Sequence, residues 1–254
     1  MQPQTKIALG GGGGAADSRL LDEVFATWIG SQGKLLYLPC ALRGIRPFPS
    51  CLEWITATFA PLNIARISMW TDLSEHRGKE LDEFDAVYIG GGNTFALLAE
   101  LRKSGFEHYL REYAGRGKAI YGGSAGAAVL GRDIGTVNYI DRNEVGLVET
   151  GSLDLAQGHA IWVHYQPQDD DLIDAYVRQH QHSVIALSER SGIVIENEDM
   201  GSVGFESAYR FDRQGKSEVA TEPHTRLHPP SSMDALQAGE AGPARAQEID
   251  DERG

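Results

Sequence analysis

Three glycine clusters, each following a short apolar segment, constrain the fold of this chain more than any other feature of its sequence. The three pairs of segment and cluster are 6–9 with 10–14, 85–89 with 90–92, and 118–121 with 122–126. After each cluster, apolar side chains recur at helical spacing. This repeated order of strand, glycine turn and helix predicts an α/β sheet.

The predicted strands differ in polarity along the chain. Segments 34–39 and 85–89 have no polar face, as expected for a mostly parallel sheet with helices on both faces. Later strands, at closer spacing, predict a small antiparallel addition near the C-terminus; they are 159–163, 183–187, 192–196 and a hairpin around 212–216. In sheets of this kind, the chemistry lies at the carboxyl ends of the strands, where all three glycine clusters fall.

Charge and composition exclude several classes of function. The chain has 23 Lys and Arg against 36 Asp and Glu, a net charge of −13, and no basic patch. Such a surface repels phosphate backbones, so a nucleic-acid partner is not expected. No apolar run approaches the ~20 residues that span a bilayer, and the N-terminus lacks a secretory pattern. With two cysteines, Cys40 and Cys51, a reduced cytoplasmic protein is the simplest interpretation.

The composition changes at about residue 222. Residues 222–254 contain four prolines and seven acidic residues against three basic ones, with few large apolar side chains. This composition is typical of a disordered tail. We therefore predict a single domain over residues 1–221, followed by an acidic tail, and leave a homodimer open.

The segment 122–126 (GGSAG) carries the sharpest chemical signal. It fits the G-x-S-x-G pattern of a nucleophile elbow, in which small neighbours allow a strained turn that exposes a serine hydroxyl. Ser124 is therefore the candidate nucleophile, and the backbone N–H of Ala125 is a candidate oxyanion-hole donor. The structural alternative is a glycine-rich turn in which Ser124 only caps a helix.

A second turn, residues 90–94 (GGGNT), also joins a strand to a helix. Backbone N–H groups in such a turn can donate to an anion, so Gly91, Gly92 and Asn93 are candidate oxyanion or substrate-binding residues. The turn lacks the glycine order and the lysine of nucleotide-binding loops. A cap on the following helix could be the whole role of Asn93.

A nucleophilic serine requires a base and an orienting acid. Of the eight histidines, His164 follows a buried strand at its carboxyl end, and we expect it at the same sheet edge as Ser124. Spacing alone does not choose the acid; the candidates between Ser124 and His164 are Asp133, Asp141, Glu144, Glu149 and Asp154.

Segments 90–98 (GGGNTFALL) and 122–127 (GGSAGA), followed by a strand that ends in His, resemble the peptidase E family of serine dipeptidases; cyanophycinase is a more distant relative. The resemblance covers roughly residues 5–212. It implies a glutamine-amidotransferase-like three-layer α/β sandwich with no cofactor and no metal. It also implies a small peptide as substrate and cleavage through an acyl-enzyme.

The resemblance also implies roles for individual residues. Ser124 matches the family nucleophile and His164 the family base. Asp141 suits the position of the family acid best, with Glu144 second. Ala125 and either Gly91 or Gly92 match the oxyanion-hole donors.

The sequence departs from the family after the base. Peptidase E prefers an N-terminal aspartate and has basic residues in this region, whereas residues 169–171 are three aspartates. These would repel an aspartyl substrate if they faced the pocket, and Arg178 could supply the missing positive charge. The simpler interpretation is that the aspartates begin a helix, where carboxylates are favoured.

Three rival functions remain. One is a cyanophycinase-like isopeptidase that cleaves β-linked Asp-Arg units. A glutamine amidotransferase is disfavoured because that activity usually needs a cysteine at the elbow, where Ser124 stands. The third rival is a binding module of the same fold that has no catalytic activity.

Overall fold

The computed structural model describes residues 5–221, which form six α-helices and eleven β-strands. The helices are α1 (Ala15–Ile29), α2 (Phe48–Phe59), α3 (Thr94–Ser104), α4 (Phe106–Gly115), α5 (Ala125–Leu130) and α6 (Asp170–His180). The strands are β1 (Lys6–Gly10), β2 (Lys34–Leu38), β3 (Arg66–Met69), β4 (Ala86–Ile89), β5 (Ala119–Gly123), β6 (Ala160–Trp162), β7 (Val184–Ala186), β8 (Ser191–Glu196), β9 (Asp199–Gly204), β10 (Tyr209–Asp212) and β11 (Gly215–Glu218).

The main sheet has seven strands in the order β3-β2-β4-β5-β1-β8-β9. The first five are parallel, and β8 and β9 extend the sheet in antiparallel fashion. Parallel strands bring their carboxyl ends to one edge, so the turns after β1, β4 and β5 are neighbours there. The three glycine clusters therefore meet at a single edge of the sheet.

Successive residues of each strand face opposite layers, which explains why these strands are apolar throughout. Tyr37, Tyr88 and Tyr121 lie side by side in register on β2, β4 and β5. They pack with α1 and α2 on one face. The residues that alternate with them pack with α3, α4 and α5 on the other face. Helices thus cover both faces, and the predicted α/β sandwich is confirmed.

A smaller, second sheet has the order β11-β10-β7-β6 and packs against α6. It is antiparallel except for the parallel pair β6 and β7. Of the late strands that the sequence grouped into a small antiparallel addition, β6, β7, β10 and β11 form this sheet, with β6 in its parallel pair. The strand at 192–196, β8, differs from the prediction because it extends the main sheet beside β1. His164 reaches the main sheet through the loop that follows β6.

Within residues 5–221, no helix has the length and apolar character needed to cross a membrane. The predicted tail, residues 222–254, lies outside the described part of the chain.

Candidate active site

Ser124 lies in a strained turn between β5 and α5. Its backbone has φ 51° and ψ −112°, a region that residues with a Cβ rarely adopt. The turn is possible because the chain approaches itself closely on both sides of the serine. A Cβ at Gly126 would lie 2.1 Å from the Ile89 carbonyl oxygen, and one at Gly122 would lie 2.5 Å from the carbonyl oxygen of Gly126. The glycine spacing that predicted an elbow is thus a steric requirement of this turn.

The end of β1 and the turn after it accept backbone hydrogen bonds from both the serine and the histidine. The amide of Ser124 donates to the carbonyl of Gly10 at 3.0 Å, and that of His164 donates to Gly11 at 2.9 Å. Gly12 lies against the imidazole so closely that a Cβ there would be 2.3 Å from the ring. This first glycine cluster therefore fixes the position of the two side chains relative to each other.

The side chains of Ser124, His164 and Glu189 form a continuous hydrogen-bonded series. The Ser124 Oγ lies 2.8 Å from Nε2 of His164, and His164 Nδ1 lies 3.1 Å from Oε1 of Glu189. An ionised carboxylate only accepts hydrogen bonds, so Nδ1 carries the proton and donates to Glu189. Nε2 is then the acceptor for the Ser124 hydroxyl, the arrangement that a general base requires.

Asp141, the expected partner of the histidine, lies elsewhere. Its carboxylate accepts a hydrogen bond of 2.7 Å from the amide of Thr94, the first residue of α3. Glu144 is exposed on the same loop. The carboxylate on His164 is Glu189 instead, from the turn between β7 and β8. A search confined to the residues between Ser124 and His164 could not find it, although Glu189 also follows a strand at its carboxyl end.

Three residues near the serine have backbone N–H groups of interest: Ala125 follows it in the chain, Gly91 lies against it, and Gly92 lines the same cavity. The turn at Gly91 approaches Ser124 so closely that a Cβ on Gly91 would be 3.2 Å from the serine Cβ. Within residues 5–221, the amides of Gly91, Gly92 and Ala125 have no acceptor. Ala125 is also the first residue of α5, where an N–H lacks a partner within the helix. These N–H groups are therefore free to donate hydrogen bonds to an incoming anion.

Asn93 has a different environment. Its side-chain oxygen accepts from the amide of Ala96 at 2.9 Å, and its amide nitrogen donates to the carbonyl of Arg142 at 2.9 Å. The first contact caps α3, and the second ties that cap to the loop that carries Asp141. Both polar atoms of Asn93 are thus engaged within the protein, as the capping alternative expected.

A cavity of about 340 Å³ opens beside Ser124 and His164, on the face of the sheet that α1 and α2 cover. Its lining combines glycines of the three glycine clusters with a set of aromatic rings. The lining residues are Gly10, Gly12, Gly13, Ser18, Tyr37, Leu42, Arg46, Cys51, Trp54, Tyr88, Gly91, Gly92, Tyr121, Gly123, Ser124 and His164. Such a volume is of the size that holds a small organic ligand.

One buried carboxyl group lies behind this cavity. Asp22 on α1 is 2% exposed and accepts a hydrogen bond of 2.8 Å from Ser18, which lines the cavity. Burial raises the pKa of Asp22 to about 7, while hydrogen bonds from Ser18 and Tyr121 act in the opposite direction. Asp22 is therefore a group whose charge changes near neutral pH.

The acidic segment after His164 does not line the cavity. Asp169 accepts from the amide of Gln166 at 2.9 Å, and Asp170 begins α6 and pairs with Lys216 at 2.9 Å. Arg178 is exposed on α6 and lies in a separate surface depression. The aspartates thus sit at a helix start, and Arg178 does not supply charge to the cavity.

No group of three or more His, Cys, Asp or Glu side chains in the described part of the chain is arranged to hold a metal ion. The site beside the cavity provides a different set of groups. The hydroxyl of Ser124, the imidazole of His164 and the carboxylate of Glu189 lie in series, with backbone donors near the hydroxyl.

Comparison with known proteins identifies relatives of the chain. The family model described as peptidase family S51 matches residues 7–203. Peptidase E of Haemophilus influenzae is 41% identical over 70 residues, which are 26% of this chain and 32% of that protein. Peptidase E of Shewanella sp. strain ANA-3 is 34% identical over 123 residues, which are 42% of this chain and 52% of that protein. The chain thus matches about a third to a half of the length of these curated relatives.

Solved structures show the same fold. A candidate peptidase E protein from Listeria monocytogenes EGD-e superposes with a TM-score of 0.65 at 21% identity, covering 80% of this chain and all of that one. A peptidase from an acI-B1 actinobacterium gives a TM-score of 0.63 at 15% identity, covering 85% of this chain and 94% of that one. At such identities the likeness concerns the fold, whereas the family model covers most of the sequence. The chain therefore belongs to peptidase family S51, the peptidase E family, as its two glycine motifs predicted.

Proposed function

We propose that this protein is a serine peptidase that hydrolyses short peptides through an acyl-enzyme. The observation that carries the proposal is the hydrogen bond of 2.8 Å between Ser124 Oγ and His164 Nε2, in a turn whose strain exposes the hydroxyl. Family membership supports a peptidase. A cavity beside the serine, of the size of a small ligand, supports a short substrate.

The reaction follows from the order of the groups. Nε2 of His164 takes the hydroxyl proton of Ser124 as the serine Oγ attacks the scissile carbonyl. The resulting oxyanion accepts hydrogen bonds from the amides of Ala125 and of Gly91 or Gly92; one such donor lowers the barrier by about 3 kcal/mol. The imidazolium then gives its proton to the leaving amine, which leaves an ester on Ser124. Water hydrolyses the ester by the same proton transfers, releasing the acid and restoring the serine.

We assign the orienting acid of this mechanism to Glu189 in place of Asp141. A carboxylate on Nδ1 keeps the tautomer in which Nε2 can accept a proton, and it stabilises the imidazolium formed during the reaction. The 3.1 Å contact between Glu189 and His164 supports this role. Asp141 is assigned a structural role, because its carboxylate caps α3.

The first test is dipeptide hydrolysis by the Ser124→Ala variant. With the hydroxyl removed, activity toward a library of dipeptides should fall by at least about 10³-fold, because only binding and the oxyanion donors remain. Circular dichroism should show an unchanged fold. If a folded Ser124→Ala protein kept wild-type activity, Ser124 would not be the nucleophile.

The second test separates the two carboxylates. Glu189→Gln should lower kcat by about 10²-fold or more while KM changes little, because the amide no longer stabilises the imidazolium. Asp141→Asn is the matched control: it should leave kcat within a few-fold and lower stability by about 1 kcal/mol through the weakened helix cap. The reverse pattern would return the acid role to Asp141.

Substrate linkage is tested in the same assay. Side-by-side α-linked and β-linked Asp-Arg dipeptides distinguish a dipeptidase from a cyanophycinase-like isopeptidase. A non-catalytic binding module would hydrolyse neither class. N-terminal aspartate specificity and a cytoplasmic location stay predictions from the sequence.

A further inference from the structure

The charge of the cavity lining is unusual for so acidic a chain. Apart from His164 of the catalytic series, Arg46 is the one charged side chain among the lining residues. Arg46 lies in the loop between β2 and α2 and is exposed at this point. The chain carries a net charge of −13, with 36 acidic residues. Even so, within residues 5–221 the Arg46 guanidinium has neither a carboxylate nor a carbonyl partner.

A nearby arginine, Arg43, shows for comparison the contacts that an arginine with a structural role makes within the protein. Arg43, three residues earlier in the same loop, binds Glu100 at 3.0 Å and also donates to the carbonyl of Thr71. Its Nη2 ties the loop to α3 and to the segment after β3. Arg46 has no comparable contacts among the described residues, so its five donors face the cavity and solvent.

A second donor lines the same cavity as Arg46. Tyr37 on β2 is 1% exposed, but its side chain reaches the cavity, and within residues 5–221 its hydroxyl has no hydrogen-bond partner. Burial raises the pKa of Tyr37 well above its usual value, and the charge of Arg46 is near enough to act against that shift. The hydroxyl therefore stays protonated near neutral pH and is able to donate. Trp54 packs against the Tyr37 ring, with centroids 6.3 Å apart, and walls this end of the cavity.

A guanidinium and a neutral hydroxyl donor that line one cavity fit an anionic oxygen pair. Arginine presents parallel N–H groups that match a carboxylate, and hydrogen bonds to charged groups are the stronger ones. A peptide offers such a group as an acidic side chain or as its free C-terminus. The cavity joins this end to Ser124, so one short peptide can occupy both.

We propose that Arg46 and the Tyr37 hydroxyl form a subsite that binds a carboxylate of the peptide and so determine specificity. This inference rests on the proposed peptidase function only for the identity of the ligand as a peptide. Arg178, which the sequence offered as the source of positive charge, takes no part, because it lies outside the cavity.

The test measures binding without turnover. Ser124→Ala protein is titrated by calorimetry with three peptides: Asp-Leu-amide, which has only a side-chain carboxylate; Ala-Leu, which has only a terminal one; and Ala-Leu-amide, which has neither. At least one of the first two should bind about 10- to 100-fold more tightly than Ala-Leu-amide. The peptide that does so identifies the source of the carboxylate.

Variants in the same Ser124→Ala background assign the subsite. Arg46→Gln should abolish the advantage of the carboxylate peptide and leave binding of Ala-Leu-amide unchanged. Tyr37→Phe should weaken the carboxylate peptide about 3- to 10-fold. The matched control is Arg178→Gln, which removes the same charge from the protein outside the cavity and should leave all three affinities unchanged.

Three results would overturn the subsite: no advantage for either carboxylate peptide, an advantage that survives Arg46→Gln, or an equal loss in Arg178→Gln. Failure of the proposed peptidase function would give a different result. The wild-type protein would then hydrolyse no peptide, while the peptide affinities of Ser124→Ala protein and their dependence on Arg46 stayed as expected.

Discussion

Ser124 and His164 share a positive φ, which is rare for residues with a Cβ. Both have φ of 51°, in the left-handed region. Such strain persists only where the surrounding structure fixes it. Here the carbonyls of Gly10 and Gly11 accept from the two amides and hold both residues at the same sheet edge. The strain thus aims the hydroxyl and the imidazole at each other.

The contact between Gly12 and the imidazole leads to a prediction. Gly12 has φ +137°, and a Cβ there would lie 2.3 Å from the His164 ring, so Gly12→Ala should displace the base. We expect kcat/KM to fall by about 10²-fold or more, as a shift of about 1 Å at a catalytic group can do. Gly14→Ala is the control, because a Cβ there meets only Asp17, at 3.8 Å. Equal activity of the two variants would contradict the positioning role of this turn.

Asp22 gives stability a pH dependence whose sign is set by its raised pKa. The carboxyl ionises near 3.8 in the unfolded chain and near 7 in the folded protein. Between these values the folded state holds a proton that the unfolded state has released. Stability therefore falls as pH rises from about 4 to about 7, and the full penalty is present above that range.

Asp22→Asn should remove this penalty. The free energy of unfolding should rise by at most about 4 kcal/mol at pH 8, and by less at pH 5, where the folded Asp22 is still protonated. Denaturant titrations at both pH values measure the difference. The exposed Glu53→Gln serves as the control and should change stability by less than about 0.5 kcal/mol at either pH. A gain that is larger at pH 5 than at pH 8 would contradict the assigned protonation of Asp22.

At the residue scale, the sequence predicted those features of the site that depend on nearby residues in the chain. The glycines around Ser124 and the strand end before His164 are readable from neighbouring residues. The carboxylate that contacts His164 was not, because Glu189 is brought to the imidazole by the return of the chain between β7 and β8. Asp141 instead meets the start of α3, a contact that sequence spacing does not encode.

Among the elements, the loop that precedes β6 supports the histidine-bearing segment. Tyr139 stacks on Trp162, with ring centroids 4.4 Å apart, and its hydroxyl donates to the carbonyl of Val163, next to His164. The Thr136 hydroxyl donates to the Ile161 carbonyl at 2.6 Å. This loop therefore supports the segment that carries His164, in addition to the support from the turn after β1.

Tyr139→Phe tests this support. The variant keeps the ring stack but loses the bond to Val163, so we expect kcat to fall several-fold and stability to fall by about 1 kcal/mol. Tyr139→Leu, which also removes the stack, should lower both further. Steady-state kinetics and thermal unfolding measure the two effects. Wild-type kcat in both variants would show that the loop does not position His164.

The strands themselves were predictable, but one pairing was not. Apolar segments bounded by glycine identified β1, β2, β4 and β5, because both faces of these strands are buried. The strand β8 was grouped with the small antiparallel addition, but it extends the main sheet. Its pairing with β1, at the other end of the described chain, decides this, and sequence spacing does not show it.

For the whole molecule, family membership and the sandwich fold agree with the sequence motifs. A homodimer stays a prediction, as do the acidic tail over residues 222–254 and the domain limit at residue 221. The cavity that joins Ser124 to Arg46 is formed by elements far apart in the chain, and we propose that it determines substrate choice. Motifs alone could not describe that cavity.

The most direct test of the account is labelling with a fluorophosphonate, which reacts only with an activated serine. We expect one label per chain, mapped by mass spectrometry to Ser124, with no labelling of Ser124→Ala and at least about 10²-fold slower labelling of His164→Ala. A folded wild-type protein that takes up no label, or takes it up at another residue, would contradict the proposal that Ser124 and His164 act together.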